Sequence, residues 1–320
     1  MISTIICFYN EINYIKLTLE SLRSQNFKNL EIILIDDCSQ HSSQLNKICE
    51  SFQDLKIVYH RNNLNIGLAR SRNIGLDLSK GDYICFLDSD DEYLPKKLSL
   101  QYLTINKNKY DIVYSKELVK KNDNYFYREC NRKFELSILL QDQFINLNTL
   151  LISKKFLDDN NILFNKDELS RYGEDLEFLI KIKIHTNSIY FIDEFLSISR
   201  RRQDNHRNYK KIWNEFEKLD LMFNNFLEDK SLNPYHSIIK RKIINIKIKK
   251  SVAYVLANKK DTFKTNFKMN FLSQNLKNKI LLLILLISPS PIIYYLFIFF
   301  YLPIKNINTY KKFKINELSK

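Results

Sequence analysis

Three apolar runs in this sequence end in side chains able to do chemistry. Residues 4–9 are followed by Asn10-Glu11, residues 31–35 by Asp36-Asp37, and residues 83–87 by Asp88-Ser89-Asp90-Asp91. A fourth acidic pair, Glu174-Asp175, comes directly after Gly173. Carboxylates two apart just past a strand end can address one hard cation. Mg²⁺ or Mn²⁺ takes oxygen ligands, keeps several waters and bridges one or two carboxylates to a diphosphate. Taken alone, Asp88-Ser89-Asp90 is equally a polar loop entering a helix near Pro95, with Asp91 and Glu92 favouring its start. Asp175 alone is equally an acidic residue in the first turn of a helix.

Glycine narrows the choice of chemistry. It occurs four times, where an average usage of roughly 7% would give about 22. Gly67, Gly75 and Gly81 cluster just before the acidic loop, and Gly173 precedes Glu174-Asp175. A chain this poor in glycine is expected to keep it where φ freedom or a missing side chain is needed. No GxGxxG and no Walker loop is present, so a bound diphosphate would be met by metal and arginine instead of a glycine cradle.

The elements that must position these groups follow from periodicity. Residues 4–9, 31–35, 56–59 and 83–87 are short, nearly continuous apolar runs, while 14–24 and 66–78 have helical spacing. Such strands, separated by helices, imply a parallel sheet covered on both faces, an open α/β architecture. Ligands bind beyond the carboxyl ends of the strands in such sheets, where the three polar ends should converge. Further on, 111–114, 149–153 and 189–192 are expected strands and 174–185 a helix. From Tyr209 the pattern is helical, with a break at Pro234.

The runs from Asn62 to Gly75 and from Gly81 to Asp91, with Ile35-Asp36-Asp37-Cys38-Ser39 and Gly173-Glu174-Asp175, together resemble glycosyltransferase family 2. The resemblance covers about residues 1–205. It implies a GT-A fold, a Rossmann-like, mostly parallel open α/β sheet, here with a basic, mainly helical C-terminal extension. It further implies inverting transfer from a UDP-sugar. Phe8, Asn10, Glu11 and Asp37 would meet the uracil or ribose, Arg72 the base or diphosphate, Asp88 the ribose or sugar, and Asp90 the metal, Mg²⁺ or Mn²⁺. Asp175 would be the general base and Glu174 would help hold the acceptor. Cys38 departs from the pattern by standing where many members have glycine. No Gln-x-x-Arg-Trp accompanies the other motifs, and the only tryptophan, Trp213, lies in the basic helical region. The enzyme is therefore expected to be non-processive, adding one sugar per encounter to a lipid-linked or oligosaccharide acceptor.

Charge and hydropathy divide the chain further. Residues 1–199 carry 25 Lys and Arg against 28 Asp and Glu, whereas residues 200–320 carry 25 against 8. So uneven a balance points to an anionic partner for the C-terminal part. An anionic membrane surface is favoured over nucleic acid, because residues 280–302 are the most apolar stretch and are rich in tyrosine and phenylalanine. Pro289 and Pro291 split that stretch into segments too short to span as helices, so an interfacial anchor is expected ahead of a packed helical pair or a spanning helix. The expected domains are 1–205 catalytic, 206–275 basic helical and 276–320 membrane-associating. Arg200-Arg201-Arg202 could face donor phosphate, membrane phosphate or solvent, and His206 is expected at the surface. The five cysteines form no CxxC pair and the N-terminus has no signal-peptide pattern. A cytoplasmic enzyme, peripheral on the inner face of the cytoplasmic membrane, is expected. Two other readings compete: a nucleotidyltransferase, which would want a glycine- and lysine-rich phosphate loop near the N-terminus, and a non-catalytic basic binding module.

Overall fold

The computed structural model describes residues 1–128, 133–141, 145–166, 173–201, 209–256 and 310–313. The chain divides into two compact units, Met1–Arg202 with Lys311–Lys320, and Gln203–Tyr310. In chain order the first unit begins β1 (Ile2–Phe8), α1 (Ile12–Arg23), β2 (Leu30–Asp36), α2 (Ser42–Glu50), β3 (Ile57–Arg61), α3 (Leu68–Leu78) and β4 (Tyr83–Phe86). It continues with β5 (Glu92–Tyr93), α4 (Lys97–Asn108), β6 (Ile112–Lys121), β7 (Asn124–Arg128), α5 (Leu136–Gln141), β8 (Leu150–Ser153), α6 (Lys154–Asp159), α7 (Glu174–His185) and β9 (Ile189–Arg200).

The expected parallel half of the sheet is present. β1 lies between β2 and β4, all three parallel, and β3 extends β2 in parallel. Every residue of β2 is buried, which is why its sequence LEIILID is nearly continuous apolar instead of alternating. Ile15, Leu19 and Leu22 of α1 pack on this sheet with Ile6, Phe8, Ile32 and Leu34. The other half is mixed. β8 is antiparallel to both β4 and β6, β7 is antiparallel to β6, and β9 runs parallel to β6 and receives β5. A final strand, β10 (Tyr310–Phe313), lies beside β7, with Phe313 edge-on to Tyr127 and Phe195. The architecture is α/β of the GT-A type.

In the second unit α8 (Tyr209–Asn225) and α9 (His236–Leu256) are joined through a 3-10 turn, Lys230–Tyr235, that contains Pro234. Phe223 on α8 and Ile239, Ile243 and Ile246 on α9 are buried, the last three at the helical spacing of one face. No helix among the described residues is long and apolar enough to cross a membrane. The apolar stretch 280–302 and His206 lie outside the described residues.

Candidate active site

The three polar strand ends meet at the carboxyl edge of the parallel sheet, as the register of β1 against β2 and β4 requires. At the centre stands Arg72, on α3, with a side chain only 4% exposed. Its Nη2 donates to Asp88 Oδ1 at 3.2 Å and its Nη1 donates to Asp175 Oδ1 in a short ion pair. The guanidinium also lies 5.2 Å over the ring of Phe164. Phe164 stacks on Phe178 at 4.0 Å, and Phe86 meets both edge-on. This aromatic cluster gives Arg72 a rigid, dry floor. Burial works against the arginine's charge, but Asp175 and Asp88 outweigh it and hold its pKa above the ordinary range.

The residues leading up to Arg72 organise the wall beside it. Asp37 accepts from Asn62 Nδ2, Ile66 N and Gly67 N, each at 2.9 Å, so both its oxygens hold the loop before α3. A carboxylate offers about four acceptor sites, which leaves Asp37 capacity for a ligand. Gly67 has a φ of +87° with ψ 162°, backbone open essentially to glycine alone. Asn73 exchanges two bonds with the main chain of Phe164, at 2.8 and 2.9 Å, and so fixes the aromatic floor. Gly173 is the residue from which α7 starts, with φ 179° and ψ 7°.

The acidic side chains feel one another. Glu174 and Asp175 open α7, whose first turn favours negative charge. Desolvation, followed by the charge of Asp175, pushes Glu174 up to about 7. Desolvation also raises Asp88, partly offset by Arg72, with Asp175 and Asp90 raising it further. Asp91 is pushed up to about 9 by burial and then by Asp88.

Among the described residues no three His, Cys, Asp or Glu side chains group to cage a metal. The oxygen donors of the 88–90 loop suit a cation that completes its shell with diphosphate and water. That donor set fits Mg²⁺ or Mn²⁺, with Asp90 as the partly exposed carboxylate.

Two expected residues sit differently. Phe8 is fully buried in the core, packed beneath the sheet edge, and the aromatic ring at this edge is that of Tyr9, 50% exposed. Position explains the difference: β1 is covered on both faces and ends at Phe8, and Tyr9 is the first residue beyond it. The Asn10 side chain turns back to accept from Ser39 Oγ and Gln40 N, holding the turn after β2. Glu11 is half-buried immediately before α1.

Residues 3–173 match the profile of glycosyl transferase family 2. The chain belongs to this family. Its relatives include an uncharacterized glycosyltransferase of Rickettsia typhi, 31% identical over 242 residues, with 71% of this chain and 72% of that protein covered. An uncharacterized glycosyltransferase of Rickettsia bellii is 31% identical over 238 residues, but the match spans only 33% of that longer protein. WfaP of Escherichia coli, a UDP-Glc:alpha-D-GlcNAc-diphosphoundecaprenol beta-1,3-glucosyltransferase, is 39% identical over 122 residues, 38% of this chain and 48% of that one. Among solved structures, S. aureus TarS 1-349 in complex with UDP-GlcNAc superposes with a TM-score of 0.57 at 21% identity, covering 88% of this chain and 79% of that one. The mannosyltransferase PcManGT of Pyrobaculum calidifontis, in complex with GDP-Man and Mn2+, gives 0.56 at 14% identity, covering 88% and 78%.

Within this family 2 domain, two residues hold the acidic loop, of which sequence reasoning passed over Asn148 and left the role of Arg200 open. Asn148 is fully buried, and its amide meets both Asp88 and Asp91. Arg200, expected at a phosphate or in solvent, is turned inward onto Asp90, Asp91 and Glu92. Arg201 is exposed, and Arg202 lies outside the described residues. The signal for Asn148 was faint: it is one of several polar residues in the short turn, Leu147–Thr149, that leads into β8.

Proposed function

We propose that the domain transfers a single sugar, with inversion, from a UDP-sugar to a hydroxyl of a lipid-linked or surface-glycan acceptor. The observation that carries this reading is the bridge by Arg72, which brings the loop acid Asp88 and the α7 acid Asp175 to the two ends of one guanidinium. Donor-side and acceptor-side groups then share one cleft. The activity of WfaP supports the choice of a UDP-sugar donor and a diphosphate-lipid acceptor.

In this reading Tyr9, Asn10, Glu11 and Asp37 frame the nucleoside, and Asp90 holds the divalent cation with Asp88 beside it. When bound, that cation neutralises charge on the departing diphosphate. Arg72 stays protonated throughout and faces the same charge. Asp175 takes the proton of the acceptor hydroxyl as its oxygen attacks the anomeric carbon, and the bond from that carbon to UDP breaks. Glu174 orients the acceptor.

The basic residues of 200–320 supply contact with an anionic membrane surface on the cytoplasmic side, beside a lipid-linked acceptor. Nucleotide preference is the direct test of the donor. Calorimetric titration with Mn²⁺ present should show UDP and UDP-sugars binding at least tenfold tighter than GDP, CDP or ADP; equal affinity for all four nucleotides would refute it. Sedimentation with vesicles containing anionic lipid tests the surface, and binding unaffected by truncation after residue 275 would count against the tail.

A further inference from the structure

The loop carrying Asp88 and Asp90 is gripped by residues from three distant elements. From α1, Thr18 Oγ1 lies 3.0 Å from the Ser89 carbonyl and 2.9 Å from the Asp91 carbonyl, able to donate to either. From the turn before β8, Asn148 uses both ends of its amide. Its Oδ1 accepts the Asp88 backbone N–H at 3.0 Å, and its Nδ2 donates to Asp91 Oδ2 in a short bond. From the end of β9, Arg200 donates its backbone N–H to Asp91 Oδ1 at 2.6 Å, Nε to the Asp90 carbonyl at 3.2 Å and Nη2 to Glu92 Oε1 at 2.6 Å. The same guanidinium is braced 4.6 Å over the Tyr14 ring.

These bonds fall on the main chain of the loop and on the carboxylates of Asp91 and Glu92. They therefore set the path of the backbone from which Asp90 projects. The pattern is also chemically selective. Asn148 must offer an acceptor to Asp88 N and a donor to Asp91, which a planar amide does and an ionised carboxylate cannot. Arg200 must donate from Nε and Nη2 at once, which the fork of arginine does and the ammonium of lysine cannot.

We infer that Asn148 and Arg200 are positioning residues that shape the 88–91 loop so that Asp90 meets a divalent cation together with the nucleotide diphosphate. The inference rests on the donor-site reading above and deepens it. Neither residue touches substrate in this account; both act through the loop.

The test is the metal-dependent gain in UDP affinity, measured calorimetrically on the full chain as the ratio of Kd in EDTA to Kd in Mn²⁺. Outer partners of a metal site commonly contribute tenfold to a hundredfold in affinity. Asn148→Asp and Arg200→Lys should each lower that ratio about tenfold or more, while Kd in EDTA stays within about twofold of wild type. Unchanged ratios in the variants overturn the inference. A Kd in EDTA that worsens as much as the Kd in Mn²⁺ also overturns it, since the residues would then be merely structural. A wild-type ratio near one would overturn the donor-site reading itself, and this inference with it. Arg200→Lys keeps the charge and the half-buried setting, so it carries the test alone if Asn148→Asp does not fold.

Discussion

Arg72 and Asp175, 103 residues apart in the chain, share an ion pair beneath the sheet edge. The same guanidinium reaches Asp88 with its other nitrogen, so a single residue ties the loop after β4 to the start of α7. Arg72→Met would leave two carboxylates facing each other across an apolar floor. Breaking a buried ion pair by removing one partner costs about 3–5 kcal/mol. Here the carboxylates are 41% and 30% exposed, so water reduces the loss to about 1–3 kcal/mol. Urea unfolding of the variant should show that drop, and an unchanged midpoint would mean that the bridge has no structural weight.

Glu174 gives a pH dependence with a definite sign. Its carboxyl is pushed up to about 7 in the folded protein, against about 4.3 in an unfolded chain. Between those values the folded state keeps a proton that the unfolded state has lost. Its stabilising effect is fully present below the unfolded value and is lost as pH rises through about 7. Glu117, pushed up to about 7 by desolvation despite bonds from Ser199 and Asn146, adds to the same trend. Urea midpoints should therefore fall between pH 5 and pH 8, and Glu174→Gln should remove part of the fall. A variant with the full wild-type slope would show that Glu174 titrates normally.

Kinetics separate the two acids of α7. With Asp175 as general base, Asp175→Asn should lose about 10²–10⁴ in kcat, while Glu174→Gln loses roughly tenfold, mostly in acceptor KM, as removal of a binding contact does. An equal loss of kcat in both variants would move the base assignment to the pair, or to Glu174.

Glycine separates fold from site. A Cβ on Gly81 would sit 2.6 Å from the Ser3 backbone nitrogen, where nothing can give way. A Cβ on Gly67 has open space but an unfavourable φ, and the Gly67 N–H is held by Asp37. Gly81→Ala should cost about 1–3 kcal/mol of stability and leave UDP affinity unchanged. Gly67→Ala should cost about 1–3 kcal/mol and also weaken UDP binding. Titration of both variants with UDP distinguishes them.

Cys38 occupies a left-handed turn with φ +60°. Glycine there avoids about 1–2 kcal/mol of backbone strain and gives back about 0.5–1 kcal/mol in chain entropy. Cys38→Gly should therefore melt about 2 °C higher, and a lower melting temperature would show that the Sγ contact to the Asn63 carbonyl matters more.

The parallel half of the sheet was readable because β1, β2 and β4 are buried on both faces, so their apolar runs are unbroken. The start of α7 was readable from its acidic first turn. The mixed half was readable in part: strands were expected over residues 111–114 and 149–153, where β6 begins and β8 lies. β9 was expected over residues 189–192 and extends to Arg200, since exposed Asp193 and Glu194 interrupt its pattern where the pairing with β6 shifts register. The lysines in the second half of β6 hid its extension beyond Tyr114 in the same way. Polar residues inside the fold were misleading too. Lys97, of a residue type usually solvated, is fully buried, bonded to Gln101 and set 4.2 Å over the Tyr93 ring. For three consecutive arginines the sequence left donor phosphate, membrane phosphate and solvent equally open, and only the β9 register turns Arg200 toward the acidic loop.

The most direct measurement is release of UDP from a panel of UDP-sugars, by the full chain with Mn²⁺ or Mg²⁺, in the presence of a diphosphate-lipid acceptor. Wild type should turn over at least one donor, EDTA should abolish the activity, and Asp90→Asn and Asp175→Asn should each reduce it about a hundredfold or more. Turnover that persists undiminished in both variants would contradict the account.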